Sequence, residues 1–201
     1  MEFNKMLSNR MNTHTDRRFD LTIIQQPNNG CACGDDIRDR IPLDPPFIVK
    51  LVIRDGHGNE LSCGEDIPFL VAHVSLWSED GSETCDLVRR TDGATRMLLG
   101  SSASSVNVCN DPESEQRQAS YFVFGDLSVR VSGKFRLGVS LANIKGNLLM
   151  GQSPTTTIAS VLSETFVVKE KHEYSGFGES TPLTLQLASQ GVRSLAGFRV
   201  E

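Results

Sequence analysis

Two arginines, Arg38 and Arg40, stand two positions apart in NNGCACGDDIRDRIPLDPP, a stretch from Asn28 to Pro46 dense in Gly, Asp, Asn and Pro. In an extended segment that spacing points both guanidinium groups the same way. From the residues alone, exposed arginines that offset Asp35, Asp36 and Asp39 are the plainer reading. Lys50 and Arg54, four apart in FIVKLVIR, share one face of a strand, and a solvated strand face is the expectation for them. Cys31-Ala32-Cys33 could begin a metal site with Cys63, Cys85, Cys109 or His57 as distant ligands. The spacing matches no familiar zinc site and there is no second close pair, so structural thiols and no metal are expected. His73 lies inside an apolar run, where a hydrogen-bonded core or interface histidine is a better reading than a catalyst.

Nothing else in the chain points to catalysis. There is no GxSxG elbow, no HExxH and no glycine loop opening a helix to cradle phosphate, and the four histidines are scattered. No catalytic residue, cofactor or small-molecule substrate is expected.

The elements that must position these groups read mainly as strands. Phe19, Leu21 and Ile23 alternate with polar residues, and Pro27 should end that pairing. Phe47, Val49, Leu51 and Ile53 form an inward row opposite Lys50 and Arg54. Asp55-Gly56 and Gly58-Asn59 signal a turn. Phe69 to Trp77 is apolar on both faces apart from His73 and Ser75, as a strand covered on both sides would be. Ser78 to Ser120 is polar, and reads as loops around a short strand near Met97 to Leu99. In Tyr121 to Ile144, period-two alternation runs on both sides of Gly133, which reads as an antiparallel hairpin needing a second apolar layer. That is the pattern of a β-sandwich.

After Ile158 to Val168, whose end reads as a strand, the signals become helical. Thr181 followed by Pro182, with Gly191 beyond, frames a short helix with Leu183, Leu187 and Ala188 on one face. A strand-like tail is expected over Val192 to Val200. Phe166, Phe177, Leu183 and Leu187 could seat this helix or contribute to a dimer surface.

With 201 residues, 38% of them hydrophobic and 22% charged, the chain suits one core, with a disordered leader over 1–18 and a domain over 19–201. A net charge of −5 argues mildly against a general polyanion binder. No apolar run approaches the roughly 18 residues of a membrane span and the N-terminus lacks a secretory apolar region, so a soluble intracellular protein without a membrane partner is expected. Five cysteines, odd in number and irregular in spacing, fit reduced thiols.

Several ordered stretches resemble the fungal velvet domain: LTIIQQP with DRIPLDPPFIVKL, YFVFGDLSVRVSGKFRL, ETFVVKEKHEYSGFGEST and LASQGVRS. The likeness covers about residues 19 to 200. It implies an immunoglobulin-like antiparallel β-sandwich, related in fold to the DNA-binding domain of Rel/NF-κB proteins, with a short C-terminal helix and long loops. It also implies a nuclear regulator, present in the cytoplasm as well, of fungal development, sporulation and secondary metabolism. Such a protein binds double-stranded DNA as a velvet homodimer or heterodimer. The basic positions carried over to the DNA-contacting loop are Arg38 and Arg40, which could fork onto phosphate or onto guanine O6/N7. Lys50 and Arg54 would extend the strip if their face adjoins the loop. Asp35, Asp36 and Asp39 stand where the family is richer in Lys and Arg, and Phe47 replaces a third proline. The alternative function is a velvet-fold interaction module with little DNA affinity, acting through a velvet partner.

Overall fold

A computed structural model describes residues 17–61, 66–90, 93–112, 114–145 and 156–198. The leader expected over 1–18 falls outside them through residue 16, as does Cys63. The strands are β1 (Arg18–Gln25), β2 (Asn29–Cys31), β3 (Phe47–Arg54), β4 (Leu70–Ser78), β5 (Leu87–Arg90), β6 (Gly93–Arg96) and β7 (Leu98–Leu99). There follow β8 (Ala103–Ser105), β9 (Asn107–Asp111), β10 (Ser114–Phe124), β11 (Ser128–Val129), β12 (Gly133–Asn143), β13 (Thr157–Leu162) and β14 (Phe166–Lys169). One α-helix, α1 (Pro182–Ser189), comes after them.

Ten of the strands form two facing sheets, while β7 with β11 and β5 with β6 make two small pairs of their own. The first runs β1-β3-β10-β9, and the second β2-β14-β12-β4-β8, with β13 also paired to β12. Alternation builds the layer between them. Phe47, Val49, Leu51 and Ile53 on β3, with Phe122 and Phe124 on β10, meet Leu70, Ala72, Val74 and Leu76 on β4 and Leu137, Val139 and Leu141 on β12. Phe19, Leu21 and Ile23 pack against the rim of that core, as their spacing predicts. Burying an aliphatic or aromatic side chain stabilises by about 1.5–3 kcal/mol, and these rows supply the main driving force.

A second, smaller cluster covers the outer face of the first sheet. Ile48, Tyr121 and Val123 lie under Leu187, Val192 and Leu195, with Leu183 and Ala188 packed alongside. Thr181 caps α1 by accepting from the Thr184 N–H, Pro182 opens the helix, and Gly191 (φ +86°) turns the chain away from it. The helical face and its caps are those the sequence predicts. The chain beyond it is not a strand: Arg193–Leu195 is a 3-10 turn, because Val192 and Leu195, three apart, must both point at the sheet. Phe166 is core and Leu187 seats the helix, whereas Phe177 is exposed and meets Tyr174 edge-on.

Three further expectations are corrected. Tyr121 to Ile144 is not a hairpin, since β10 pairs with β3 in the first sheet and β12 with β4 in the second. The chain crosses the core between them, and β11 pairs with β7 on the way. The strands covered on both faces are β3 and β10 rather than β4, because α1 lies over the first sheet; on β4 His73 faces outward and is exposed, so it is not a core residue. Residues 87–111 hold five short strands where one was expected, among them the antiparallel pair β5 and β6.

Candidate nucleic-acid interface

The loop between β1 and β3 is turn-rich but tightly attached. Its β2 adds to β14 in parallel, Asn29 opposite Val167 and Cys31 opposite Lys169. Further along, the N–H groups of Cys33, Gly34 and Leu43 donate to the carbonyls of Val129, Arg130 and Leu127. Cys31 and Leu43 are buried. Near-complete burial of Arg130 is the strongest anchor: its Nε donates to Arg96 O at 2.9 Å and its NH1 to Gly34 O at 2.8 Å. A segment held at both ends spends little ordering entropy when a ligand arrives.

At the tip the backbone is not extended. Ile37–Asp39 forms a 3-10 turn capped by Asp36, which accepts from the Arg38 N–H. The two guanidinium groups therefore diverge. Arg38 lies back over Asp36, Nε to Oδ1 at 3.2 Å, with its side chain 87% exposed. That hydrogen bond holds the Asp36 carboxyl below its usual range. Arg40 turns the other way, donating to Asp126 O at 3.3 Å and sitting 3.6 Å from the Asp126 carboxylate.

Lys50 and Arg54 do not join them. Lys50 is half-buried on the outer face of the first sheet, 2.8 Å from Asp111, a carboxylate that also accepts from Tyr121 Oη. Arg54 reaches Asp20 at 3.2 Å, sharing it with Arg18, whose hydrogen bond is the main cause of the lowered Asp20 pKa. At ~3.3 Å per residue, Arg54 is roughly 23 Å along β3 from the loop's exit at Phe47.

Sequence reasoning missed the groups that complete this end of the sandwich. Asp126 accepts from the Ser101 N–H and hydroxyl as well as from Arg40, which ties the β7–β8 turn to the loop. Lys171, after β14, lies close enough to act on Asp36 and Cys31. Arg193 stands exposed on the 3-10 turn beyond α1. All three fall within the family-like stretches, Asp126 in YFVFGDLSVRVSGKFRL, Lys171 in ETFVVKEKHEYSGFGEST and Arg193 in LASQGVRS, but nothing in those stretches says that they meet.

Among the described residues the four thiols are free, and burial pushes Cys31, Cys33, Cys85 and Cys109 upward. No three His, Cys, Asp or Glu side chains converge on a metal-sized space among the described residues. None of their helices is long and apolar enough to cross a membrane.

The velvet factor family model matches residues 19–94 and 88–196. A sexual development regulator of Mycosarcoma maydis is 35% identical over 200 residues, covering 94% of this chain and 47% of that protein. A spore development regulator of Beauveria bassiana is 30% identical over 191 residues, 94% of this chain and 69% of the relative. A protein of Chaetomium globosum named as part of the velvet complex is 31% identical over 175 residues, 87% of this chain and 36% of the relative. The chain spans less than half the length of the first and third of these.

Proposed function

The chain belongs to the velvet factor family, and from that premise we propose that it regulates fungal development and spore formation, binding double-stranded DNA as a homodimer or as a heterodimer with another velvet protein. The relative named for its place in the velvet complex supports the pairing. Action in the nucleus, a share of the protein in the cytoplasm and control of secondary metabolism belong to the same reading, carried by the family resemblance.

One observation carries the DNA part: a loop anchored through β2, Leu43 and Arg130 holds the almost fully exposed Arg38 outward. A guanidinium on a fixed edge loop suits phosphate or the guanine edge, because its donors are already oriented. The exposed pair with Asp36 is weak enough for phosphate to displace. Nothing in this role asks the chain to catalyse a reaction.

The test is fluorescence anisotropy of the purified chain on random and promoter-derived duplexes across a salt series, with Arg38→Ala/Arg40→Ala beside the wild type. Each phosphate contact contributes about 0.9 to the log–log salt slope, so the double variant should lose at least about 0.9, the share of the exposed Arg38, while melting at nearly the wild-type temperature. Equal affinity and slope in the two proteins would remove the loop from the interface.

A second reading has its own support. Arg38, Arg40, Lys50 and Arg54 each sit against an acid, Asp36, Asp126, Asp111 and Asp20 respectively. That arrangement suits an interaction module whose DNA affinity comes from a velvet partner. Absence of binding by the wild type at about 50 mM salt, with binding restored by a more basic velvet partner, would select it.

A further inference from the structure

Beside the Arg38 loop an open trough of about 640 Å³ is lined by Ser101, Ser104, Ser105, Asn107, Asp126 and Arg193. Two glycines let its walls meet. A Cβ on Gly100 would collide with the Asp126 carbonyl and stand 3.2 Å from Arg40 NH1, and one on Gly125 would collide with the Ser194 carbonyl. The β7–β8 turn, the β10–β11 turn and the 3-10 turn after α1 are thus packed backbone to backbone, with Arg40 closing the rim next to the loop.

Much of the lining is polar and short, with Ala103, Val123 and Gly191 completing it. Ser104 Oγ accepts from the Val123 N–H and donates to Ser105 O, and Asn107 Nδ2 also donates to Ser105 O, which fixes that wall. Ser105 and Ser194 are exposed. With the Ser101, Ser104 and Asn107 donors spent inside the wall, the exposed Ser105 and Ser194 hydroxyls and the Arg193 guanidinium remain, and groups of these kinds contact nucleic-acid backbones without reading sequence. Arg193 differs from the four candidate cations because no acid holds it among the described residues. Val192 and Leu195, both buried, fix the turn that carries it. Among the residues lining the trough, Asp126 is the carboxylate, and it faces Arg40.

We propose that this trough is the track of one DNA phosphodiester strand, with Arg193 contacting phosphate on the side away from Arg38 and Asp126 acting as a brake that withholds Arg40. The proposal rests on the DNA-binding reading and widens its surface from one loop to four chain segments. Specific base contacts would remain with Arg38, while the trough sets the duplex's path.

Two substitutions of opposite sign test it on the intact chain, using a random-sequence duplex across a salt series. Arg193→Ala should weaken binding several-fold at about 100 mM salt and lower the slope by about 0.9. Asp126→Asn removes the negative charge beside Arg40 and leaves it only the hydrogen bond to the main-chain carbonyl, so it should tighten binding and steepen the slope; loss of packing alone would do neither. Thermal melts confirm folding, and because Arg193 is exposed its replacement should leave the midpoint unchanged. Unchanged affinity and slope in Arg193→Ala, in a preparation where Arg38→Ala/Arg40→Ala does weaken binding, would overturn the trough and leave the DNA-binding reading standing. Absence of any wild-type binding would overturn both.

Discussion

Replacing Arg130 by methionine separates a loop that merely lies on the sandwich from one that the sandwich holds. Methionine keeps the apolar stem but removes the donors to Gly34 O and Arg96 O, and the exposed partner Asp35, 3.5 Å away, regains water. Each of these hydrogen bonds from a charged donor contributes about 1.5–3 kcal/mol, and because Gly34 and Arg96 are exposed residues water can take over part of what their carbonyls lose. Relief of a nearly buried positive charge offsets part of this, so a net loss of about 2–4 kcal/mol is expected. Urea unfolding followed by the single tryptophan, Trp77, measures it; at ~2 kcal/mol per molar the midpoint should fall by about 1–2 M. Arg130→Lys should fall between, since one ammonium cannot serve both carbonyls. Hydrogen exchange supplies the local readout: the amides of Cys33 and Gly34 should lose protection before those of the β12–β4 ladder. A stability loss under about 0.5 kcal/mol with unchanged protection at Cys33 and Gly34 would refute the anchoring argument.

Two further predictions follow from individual contacts. A Cβ on Gly138 would collide with the indole of Trp77, whose Nε1 donates to Ser75 Oγ at 2.9 Å, so Gly138→Ala should cost about 1–3 kcal/mol in the same urea assay. The Asp80 carboxylate accepts from the Ser78 hydroxyl and from the Ser82 N–H and hydroxyl, which lowers its pKa from 3.8 to about 2. A lowered folded-state value makes the contribution present above the unfolded pKa and lost as pH falls toward 2; an NMR titration of Asp80 should show that midpoint, and Asp80→Asn should flatten the stability profile between roughly pH 4 and 2.

Which side chains face inward was legible because strand alternation is a local property. Phe47, Val49, Leu51 and Ile53 read correctly for that reason, and so did Thr181, Pro182 and Leu187, whose helix is framed by its own caps. Pairing was not legible. The rows around Phe122 and Val139 alternate identically whether they form one hairpin or face each other across the core, and Gly133 looks like a turn in either case. The short strands between Leu87 and Asp111 left no pattern, since residues such as those of Gly93–Arg96 are largely exposed on both faces. Tail residues Val192 and Leu195 were misread because a 3-10 turn spaces its buried residues by three. At the candidate interface, residue type was readable and partnership was not: Arg40 finds Asp126 and Lys50 finds Asp111 only through the fold.

The parallel pairing of β2 with β14 also bears on the order in which the protein assembles. It joins Asn29 to Val167, so the chain between them must be gathered before that ladder can close. Closure of so long a loop is entropically unrewarded until the intervening sheets exist, and non-local pairings of this kind place folding on the millisecond-to-second scale. The segment carrying Arg38 therefore takes shape late, after the sandwich against which it is fastened. A partly folded or nicked chain would lack a shaped loop even with every arginine present. Competence at this surface would then report that the whole domain is intact.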